Sequence, residues 1–480
     1  MMNSISRNSS SLIPKKPLDA VLIGAGARGW HTYGRWALKN KDRIKFIAVA
    51  EPREARRQGF AKEWDISKKR QFTSWKDLLN EAIGKIADAC VICTQDKMHT
   101  EPALKALQLG YHVLLEKPMA TTKQECIELV KQAEKVGRQL RICHVARYTT
   151  MFSTIKHAIN EGLIGDIINI IHSENVAYWH FPHGYVRGNW RKATDSSPVI
   201  IAKTCHDLDL LYWLVESPTK SVQSFGELSF YRTENAPKGA PDRCLDGCPV
   251  AETCPWYAPR LYIEAEPLIR ITQRSKKWRL RFAGKLLLNH RKFVKFLSIF
   301  IKPLRNFLNW QYWPATVISD DLSVEGKIQA LKSGPWGRCV FHCDNDVPDH
   351  QTVNIQFKNN VTATMTMHGH SYLDGRWIRI SGTKGSLLGE FTYAGEKITY
   401  YDHRYVHEKV LWENDITFGA HSDGDSGLME SFVNSLLNEG SEREDPLTSA
   451  RASLESHLMG FAAEKSRLEH NVIDMDDFRD

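Results

Sequence analysis

The chain of 480 residues lacks several features that mark special classes of protein. No run approaches about eighteen consecutive apolar residues, so we expect no transmembrane helix. The Ser-rich stretch at residues 1–17 has no apolar core of signal-peptide length, and we expect it to be a flexible leader. The ten cysteines are scattered and no secretory signal precedes them, which favours reduced thiols and a cytoplasmic location.

Acidic residues are missing from one long segment. Residues 267–319 contain twelve Lys and Arg and no Asp or Glu, while the whole chain carries a net charge of +8, so the remainder stands at −4. The basic character therefore belongs to an insertion at about residues 232–320. Its apolar stripe, which includes Phe293, Phe296 and Phe300, is typical either of a helix lying on an anionic membrane or of one packed on the protein's own core or a subunit interface. We favour packing, and no recognised module predicts nucleic-acid binding.

Apolar strands alternate with helical stretches over the first 145 residues, which predicts a parallel sheet covered on both faces. The predicted strands are Leu18–Ile23, Ile44–Ala50, Ala87–Ile92, Tyr111–Leu115 and Leu140–Cys143. Alternating segments beyond Asp349 predict a second, open and largely antiparallel sheet with helices on one face. We therefore expect an α/β protein with one domain at 18–146 and a second, substrate-binding and oligomerising domain at 147–480.

A glycine-rich motif, Gly24-Ala25-Gly26-Ala27-Arg28-Gly29, joins the first strand to the first helix. Gly24 permits a tight turn, Gly26 lets the backbone approach a pyrophosphate, and Gly29 lets the helix pack on the sheet. Backbone amides at the start of the helix, around Ala27 and Arg28, then bind the anion. In this strand-to-helix setting the motif predicts a Rossmann domain that binds a dinucleotide.

The end of the second strand indicates which dinucleotide binds. Glu51 stands there, and a carboxylate at that point accepts hydrogen bonds from the adenosine ribose and repels a 2′-phosphate. We therefore predict NAD rather than NADP, although the nearby Arg53 and Arg56 weaken the preference.

Two more runs follow strands and should face the cofactor, because ligands of open parallel sheets bind beyond the carboxyl ends of the strands. They contribute Thr94, Gln95, His99, Glu116 and Lys117. Lys117, whose aim is restricted by Pro118, is either a surface residue or an acid–base group of the reaction.

Together with these motifs, Arg147-Tyr148, Trp190-Arg191 and His206-x-x-Asp209 stand in an order that resembles the Gfo/Idh/MocA oxidoreductases, a family that includes glucose–fructose oxidoreductase and inositol dehydrogenase. The resemblance implies a Rossmann domain followed by an α/β domain whose open sheet mediates homodimers or homotetramers. It also implies that Lys117 and His206 flank the substrate carbon beside the nicotinamide, and that Arg147, Trp190 and Arg191 belong to the cofactor site.

The second-domain motif departs from the family pattern, since Ala202 stands where a supporting acid is expected. Lys203 beside it is a candidate second cation in the site. The Lys-x-Cys-His-Asp stretch, with Arg187–Arg191 and Cys343–Asp346, resembles a separate branch of the family. Known activities of other members therefore transfer poorly.

Candidate substrate-binding residues are Tyr178, Tyr185, Arg187, Asn189, Asp209 and His421. The aromatic residues among them either stack on a sugar ring or pack between the domains. In the alternative interpretation, Asp209 orients other side chains and His421 lies in an ordinary turn before a helix.

Three cysteines, Cys244, Cys248 and Cys254, lie within eleven residues. They form either a thiolate metal site, with Cys343 or another residue as fourth ligand, or a compact loop with free thiols. Because the spacing fits neither common zinc nor ferredoxin patterns, we predict free thiols and no metal.

Three hypotheses follow. The first is an NAD-dependent oxidoreductase that acts on a hydroxyl of a sugar, sugar derivative or cyclitol, with Lys117 or His206 as base and Lys203 as an assisting cation. The second is an NAD-dependent glycosidase that oxidises its sugar transiently and eliminates the leaving group. The third is a non-catalytic, NAD-binding regulator.

Overall fold

The computed structural model describes residues 16–300, 308–415, 423–438 and 447–480. Its first sheet has six parallel strands in the order β3-β2-β1-β4-β5-β6. The strands are β1 Leu18–Ile23, β2 Ile44–Ala50, β3 Gln71–Phe72, β4 Ala89–Ile92, β5 His112–Leu115 and β6 Leu140–Ile142. The short apolar strands are buried because helices cover both faces, as the unbroken apolar runs predict.

Helices connect these strands and bring the carboxyl ends of β1, β2, β4 and β5 to one edge of the sheet. A π-helix at Ala27–Gly34 leads into α1 Arg35–Lys39, and the others are α2 Glu54–Trp64, α3 Trp75–Leu78, α4 Thr100–Gln108 and α5 Lys123–Val136. The α5 helix begins at Thr122, whose hydroxyl accepts the Glu125 amide, and ends at Gly137 in the left-handed conformation.

The second sheet is mixed, with nine strands in the order β14-β13-β12-β11-β7-β10-β9-β8-β15. Only the β7–β10 pair is parallel among its pairings. The strands are β7 Ile167–Ala177, β8 Thr219–Glu227, β9 His350–Phe357, β10 Thr362–Ser371, β11 Gly375–Gly382, β12 Gly385–Thr392, β13 Gly395–Asp402, β14 Glu408–Asn414 and β15 Ile473–Asp474. The α/β fold class expected from the sequence is confirmed.

Helices cover one face of this sheet and bury its largest apolar cluster. They include α6 Thr150–Asn160, α7 Val199–Ala202, α8 Cys205–Val215, α16 Ala450–Glu469 and α17 Met475–Arg479. The other face carries exposed apolar side chains, among them Ile168, Ile171, Phe225 and Leu388. The sheet is therefore open on one side, as expected.

The chain returns to the first domain after completing the second sheet. Helix α15, Gly424–Leu437, packs Leu428, Phe432 and Val433 into the same core as Leu22 of β1. A boundary at 146/147 therefore does not separate two self-contained cores, because a helix from the last quarter of the chain completes the Rossmann domain.

The basic insertion forms a helical lobe on the second domain. The described helices of the insertion are α9 Ala258–Tyr262, α10 Glu266–Ile271, α11 Trp278–Asn289, α12 Arg291–Leu297 and α13 Ala315–Ile318, and α14 Val324–Ser333 follows it. Within the described ranges, no helix has both the length and the apolar character that crossing a membrane requires. Residues 1–15 of the expected leader, and His421, lie outside the described residues.

Candidate active site

The three glycines of the first loop meet different surroundings. Gly24 has φ +92°, and a Cβ there would lie 2.5 Å from the Cys93 carbonyl oxygen. A Cβ on Gly29 would lie 2.2 Å from the Gly24 carbonyl oxygen. Beside Gly26, by contrast, the nearest atom to a Cβ is Nη1 of Arg56 at 3.9 Å. Two glycines are thus required by the fold, and the third borders open space beside a guanidinium.

Glu51 lies next to that space and is 6% exposed. Its Oε2 accepts the Ala25 amide at 2.8 Å and its Oε1 accepts the Arg53 amide at 3.0 Å. Each oxygen keeps a further lone pair, which is what two ribose hydroxyls require. Open space at Gly26 and a carboxylate at the end of β2 fit NAD.

The cations near this carboxylate are partly compensated. Arg53 and Arg56 lie 3.7 and 3.6 Å from Asp320, which follows α13 in the basic lobe. The lobe therefore reaches the cofactor side of the Rossmann domain.

Arg28 connects the glycine loop to two other elements. Its Nε donates to Glu116 at 2.6 Å, and its Nη2 donates to Asp425 at the start of α15 at 2.7 Å. Burial alone would raise the pKa of the Glu116 carboxyl, but Arg28, Tyr33 and Lys117 together hold it below its usual range. Glu116 is thus an ionised anchor of the loop, and it contacts the expected cofactor surface through Arg28.

Lys117 follows Glu116 and points across the domain junction. Its Nζ donates to the Ala202 carbonyl oxygen at 2.8 Å, and its peptide bond to Pro118 is cis. His99 supports this turn, because its Nδ1 lies 2.6 Å from the Pro118 carbonyl oxygen and its Nε2 lies 3.2 Å from that of Thr94. Both nitrogens of His99 thus face backbone carbonyls at the turn that carries Lys117, and its contact with the cofactor stays a prediction. Thr94 donates its hydroxyl to the Met98 carbonyl, and Gln95 is exposed.

Three histidines cluster where Lys117 meets the second domain. His206 is 3% exposed in the first turn of α8, and its ring centroid lies 5.6 Å from that of His144. His144 is in turn 5.4 Å from the ring of His457, whose Nε2 accepts the Met119 amide. Burial, His457 and the nearby cations Arg147 and Lys117 hold the pKa of His144 well below its usual range. Sequence motifs pointed to His206 but missed its two neighbours: His144 lies just after β6, and His457 lies on α16.

Arg147 and Asp209 form a buried bidentate pair. Arg147 donates to the two carboxylate oxygens at 2.7 and 2.6 Å, and its remaining nitrogen Nη1 donates to the Leu447 carbonyl at 2.8 Å. These contacts are structural. Because Arg147 and Asp209 bind each other, Asp209 fits the orienting role that the sequence also allowed, and direct contact of the two residues with cofactor and substrate stays a prediction.

Ala202 stands where the family pattern has an acid, and a network of charged side chains begins at the next residue, Lys203. Lys203 Nζ lies 2.9 Å from Glu174 on β7, and Glu174 lies 3.0 Å from Arg376 on β11. Arg376 also donates to Asp207 at 2.8 Å, and His172 reaches the same carboxylate at 2.7 Å. Lys203 is therefore held by a buried carboxylate, which makes it an electrostatic neighbour of the site.

Asp96, which belongs to the run after the fourth strand that the sequence predicts to face the cofactor, joins the domains at a second point. Its carboxylate accepts the Trp190 indole N–H at 3.0 Å and the Ser197 hydroxyl at 2.6 Å. Arg191 lies 3.0 Å from Asp344, and Asn189 is exposed. The structure thus holds Trp190 at the junction and Arg191 on an exposed carboxylate.

The remaining candidates separate into two places. The Tyr185 ring stacks at 5.2 Å on Phe181 and lies 6.0 Å from Trp190, near the junction. Tyr178 instead accepts the Trp256 indole N–H on its carbonyl oxygen. Arg187 donates to the carbonyl oxygens of Arg338 and Trp256 and to Cys244 Sγ, so its contacts indicate a structural role away from Lys117.

Cys244, Cys248, Cys254 and Cys339 line one cavity beside Arg187. All ten cysteines are free. In the part of the chain that the structure describes, no three His, Cys, Asp or Glu side chains gather into a group that would hold a metal ion.

Two family models match this chain. Residues 18–144 match the oxidoreductase family model with the NAD-binding Rossmann fold, and residues 152–244 match the GFO/IDH/MocA C-terminal domain. Residues 18–144 and 152–244 are therefore domains of the Gfo/Idh/MocA oxidoreductase family. The first domain of the chain is an NAD-binding Rossmann domain, as the glycine loop and Glu51 predict.

Known relatives are distant. The oxidoreductase YteT of Bacillus subtilis (strain 168) is 21% identical over 398 residues, or 81% of each chain. The 2,7-anhydro-N-acetylneuraminate hydratase of Escherichia coli (strain K12) is 23% identical over 38% of this chain and 46% of its own length. The D-glucoside 3-dehydrogenase of the same organism is 25% identical over 33% and 43%. The chain thus spans less than half of the last two relatives.

Among solved structures, an oxidoreductase from Agrobacterium radiobacter superposes with a TM-score of 0.60 at 13% identity, over 96% of this chain and 99% of that one. At this identity the likeness shows the fold alone.

Proposed function

We propose that the protein oxidises a hydroxyl-bearing carbon of a sugar, sugar derivative or cyclitol. One observation carries the proposal: the Lys117 ammonium crosses from the Rossmann domain to the Ala202 carbonyl at 2.8 Å, four residues before His206. We therefore expect two acid–base groups from different domains, Lys117 and His206, to lie beside the cofactor surface. The name of the D-glucoside 3-dehydrogenase relative supports this class of substrate.

NAD bound at the glycine loop supplies the hydride acceptor. As a base, Lys117 acts in its neutral amine form, which has two N–H groups and one lone pair: one N–H donates to the Ala202 carbonyl, and the lone pair accepts the proton of the substrate hydroxyl. His206 is the second candidate base. Lys203 contributes positive charge from its pair with Glu174, which stabilises the oxygen charge that develops.

In a second candidate function, the enzyme oxidises a sugar hydroxyl only transiently. A leaving group is eliminated or water is added while the sugar is oxidised, and NADH then returns its hydride to the sugar. The Lys203–Glu174 pair favours it, because a second acid–base pair lies near the site. A hydratase among the relatives supports it as well.

The test is NADH absorbance at 340 nm with a panel of sugars, cyclitols and aryl glycosides. Steady NADH formation with a free sugar or cyclitol supports the dehydrogenase. Glycoside turnover without net NADH supports the second candidate. Absence of turnover together with intact NAD binding favours a regulator.

On the active substrate, Lys117→Met should lower kcat by about 10²–10⁴-fold, the range for loss of an acid–base group, while NAD affinity stays near wild type. Lys105→Met, a surface change on α4, is the matched control. Wild-type turnover by Lys117→Met contradicts the proposed mechanism.

We also propose that the open face of the nine-stranded sheet mediates a homodimer or homotetramer in the cytoplasm. Ile168, Phe225 and Leu388 are 55%, 53% and 41% exposed on that face. A patch of this kind is typical of subunit interfaces.

A further inference from the structure

The basic lobe has two apolar faces. The inner one packs Leu287 of α11 and Val294 of α12 against Ile269 of α10. The sequence left open whether the apolar stripe is packed or free. In the structure, part of the stripe is packed inside the lobe and part is exposed.

The outer face exposes large side chains that soluble proteins usually bury. Trp278 and Phe282 are 64% and 61% exposed, one turn apart on α11. Phe293, Phe296 and Phe300 are 56%, 58% and 75% exposed, at a spacing that places them on one side of α12 and the turn that follows it. The Phe296 and Phe300 rings lie 5.8 Å apart. In the described part of the chain, each of these side chains is therefore more than half exposed.

Cations surround this aromatic face. Lys277, Arg279 and Lys285 are exposed on or beside α11, and none of them forms an ion pair with another described residue. Arg279 lies over the Trp278 ring at 5.7 Å. The acids that do reach the lobe, such as Glu413 with Lys276, come from outside residues 267–319.

We propose that this outer face docks on an anionic phospholipid surface, with the aromatic side chains among the lipid headgroups and the cations on the lipid phosphates and carboxylates. A helix with aromatic residues on one side and Lys and Arg around them binds the membrane interface without crossing it. Charge complementarity selects this occupant, because a second copy of the lobe would place like charges opposite one another.

The test is co-sedimentation of the full-length protein with vesicles of phosphatidylcholine alone or mixed with phosphatidylserine. We expect binding to the anionic vesicles, little binding to the neutral ones, and a loss of binding as NaCl rises. Lys277→Glu/Arg279→Glu/Lys285→Glu should weaken binding by roughly a hundredfold or more. Phe296→Ser/Phe300→Ser should weaken it by at least about tenfold.

Matched controls are Lys131→Glu/Lys135→Glu on the exposed face of α5, and Tyr405→Ser, which removes an aromatic side chain that is 67% exposed elsewhere. Both should bind like wild type. Failure of the wild-type protein to bind anionic vesicles overturns the proposal, as does equal binding to both vesicle types. A wild-type oligomer that becomes monomeric in Phe296→Ser/Phe300→Ser, with no lipid binding by either, assigns the face to subunit contact instead. The salt dependence of the wild type needs no variant, so a folding defect cannot mask the result.

Discussion

The cofactor side and the second-domain side of the junction arrange charge in different ways. On the cofactor side, Glu51 is hydrogen-bonded to two backbone amides yet keeps open lone pairs, and Gly26 borders empty space. On the second-domain side, Glu174 and Asp207 are paired with Arg376, so that buried charges compensate one another.

The cofactor side therefore has the features of a site for an exchangeable ligand. The second-domain side, with Glu174, Asp207 and Arg376, is a fixed network of buried ion pairs. Unsatisfied acceptors and space suit a cofactor that enters and leaves. A compensated network fixes the backbone beside it, since buried ions tolerate little movement away from their partners. Asp207 is the residue after His206, so the network holds the first turn of α8, which begins three residues beyond the Ala202 carbonyl that Lys117 contacts.

Removing the central cation should have the largest effect on stability. Arg376→Met leaves Glu174 and Asp207 buried without their shared partner, and we expect a loss of about 3–5 kcal/mol in the free energy of unfolding at neutral pH. Urea denaturation measures it. Arg379→Met, on an exposed position of the same strand, should stay within about 0.5 kcal/mol of wild type.

The pH dependence sharpens this prediction. Burial would raise the pKa of Asp207, but Arg376 and His172 hold it below its usual range. A lowered folded-state pKa gives stability that is present above the unfolded value of about 4 and is lost as the pH falls below it. Without Arg376 the Asp207 pKa rises, so the stability difference between variant and wild type should shrink as the pH falls from the variant's raised Asp207 pKa towards the lowered pKa of the wild type. A constant difference would mean that Asp207 is not the group affected.

The glycine loop tests the cofactor side. Gly24→Ala should cost about 1–3 kcal/mol of stability, because φ +92° and the Cys93 carbonyl both oppose a Cβ. Gly26→Ala should leave stability within about 0.5 kcal/mol and weaken NAD affinity by at least about tenfold, since the methyl group occupies the space beside the loop. Urea denaturation and NADH fluorescence titration separate the two effects. Unchanged NAD affinity in Gly26→Ala would place the pyrophosphate elsewhere.

Sequence alone was informative where function lies in contiguous residues. The bounds of β1 and β2 are those predicted, and the loop, Glu51 and Lys117 stand at strand ends as expected. The ion-pair network of Glu174, Asp207 and Arg376 was not predictable from the sequence, because it depends on strand register. Glu174 of β7 lies directly opposite Arg376 of β11, about two hundred positions away in the chain. His144 and His457 were missed because they lie on elements far apart in the chain that only the packing of the two domains brings together. Arg147 and Asp209 were recognised as motif residues, but their pairing with each other required the structure.

The smallest effect should come from a surface charge that touches the cofactor side. Asp320 is 50% exposed and lies within 4 Å of both Arg53 and Arg56. Asp320→Asn releases these guanidinium groups, and we expect NADP affinity to rise by roughly two- to fivefold with NAD affinity unchanged, because exposed ion pairs contribute at most about 1 kcal/mol.

Fluorescence titration with both reduced cofactors measures the ratio of NADP to NAD affinity, and Glu325→Gln on α14 is the control. The gain should fade with added salt, as it does for exposed charges. If NADP affinity stays constant at low salt, Glu51 alone sets the preference, and the basic lobe has no electrostatic effect on the cofactor side.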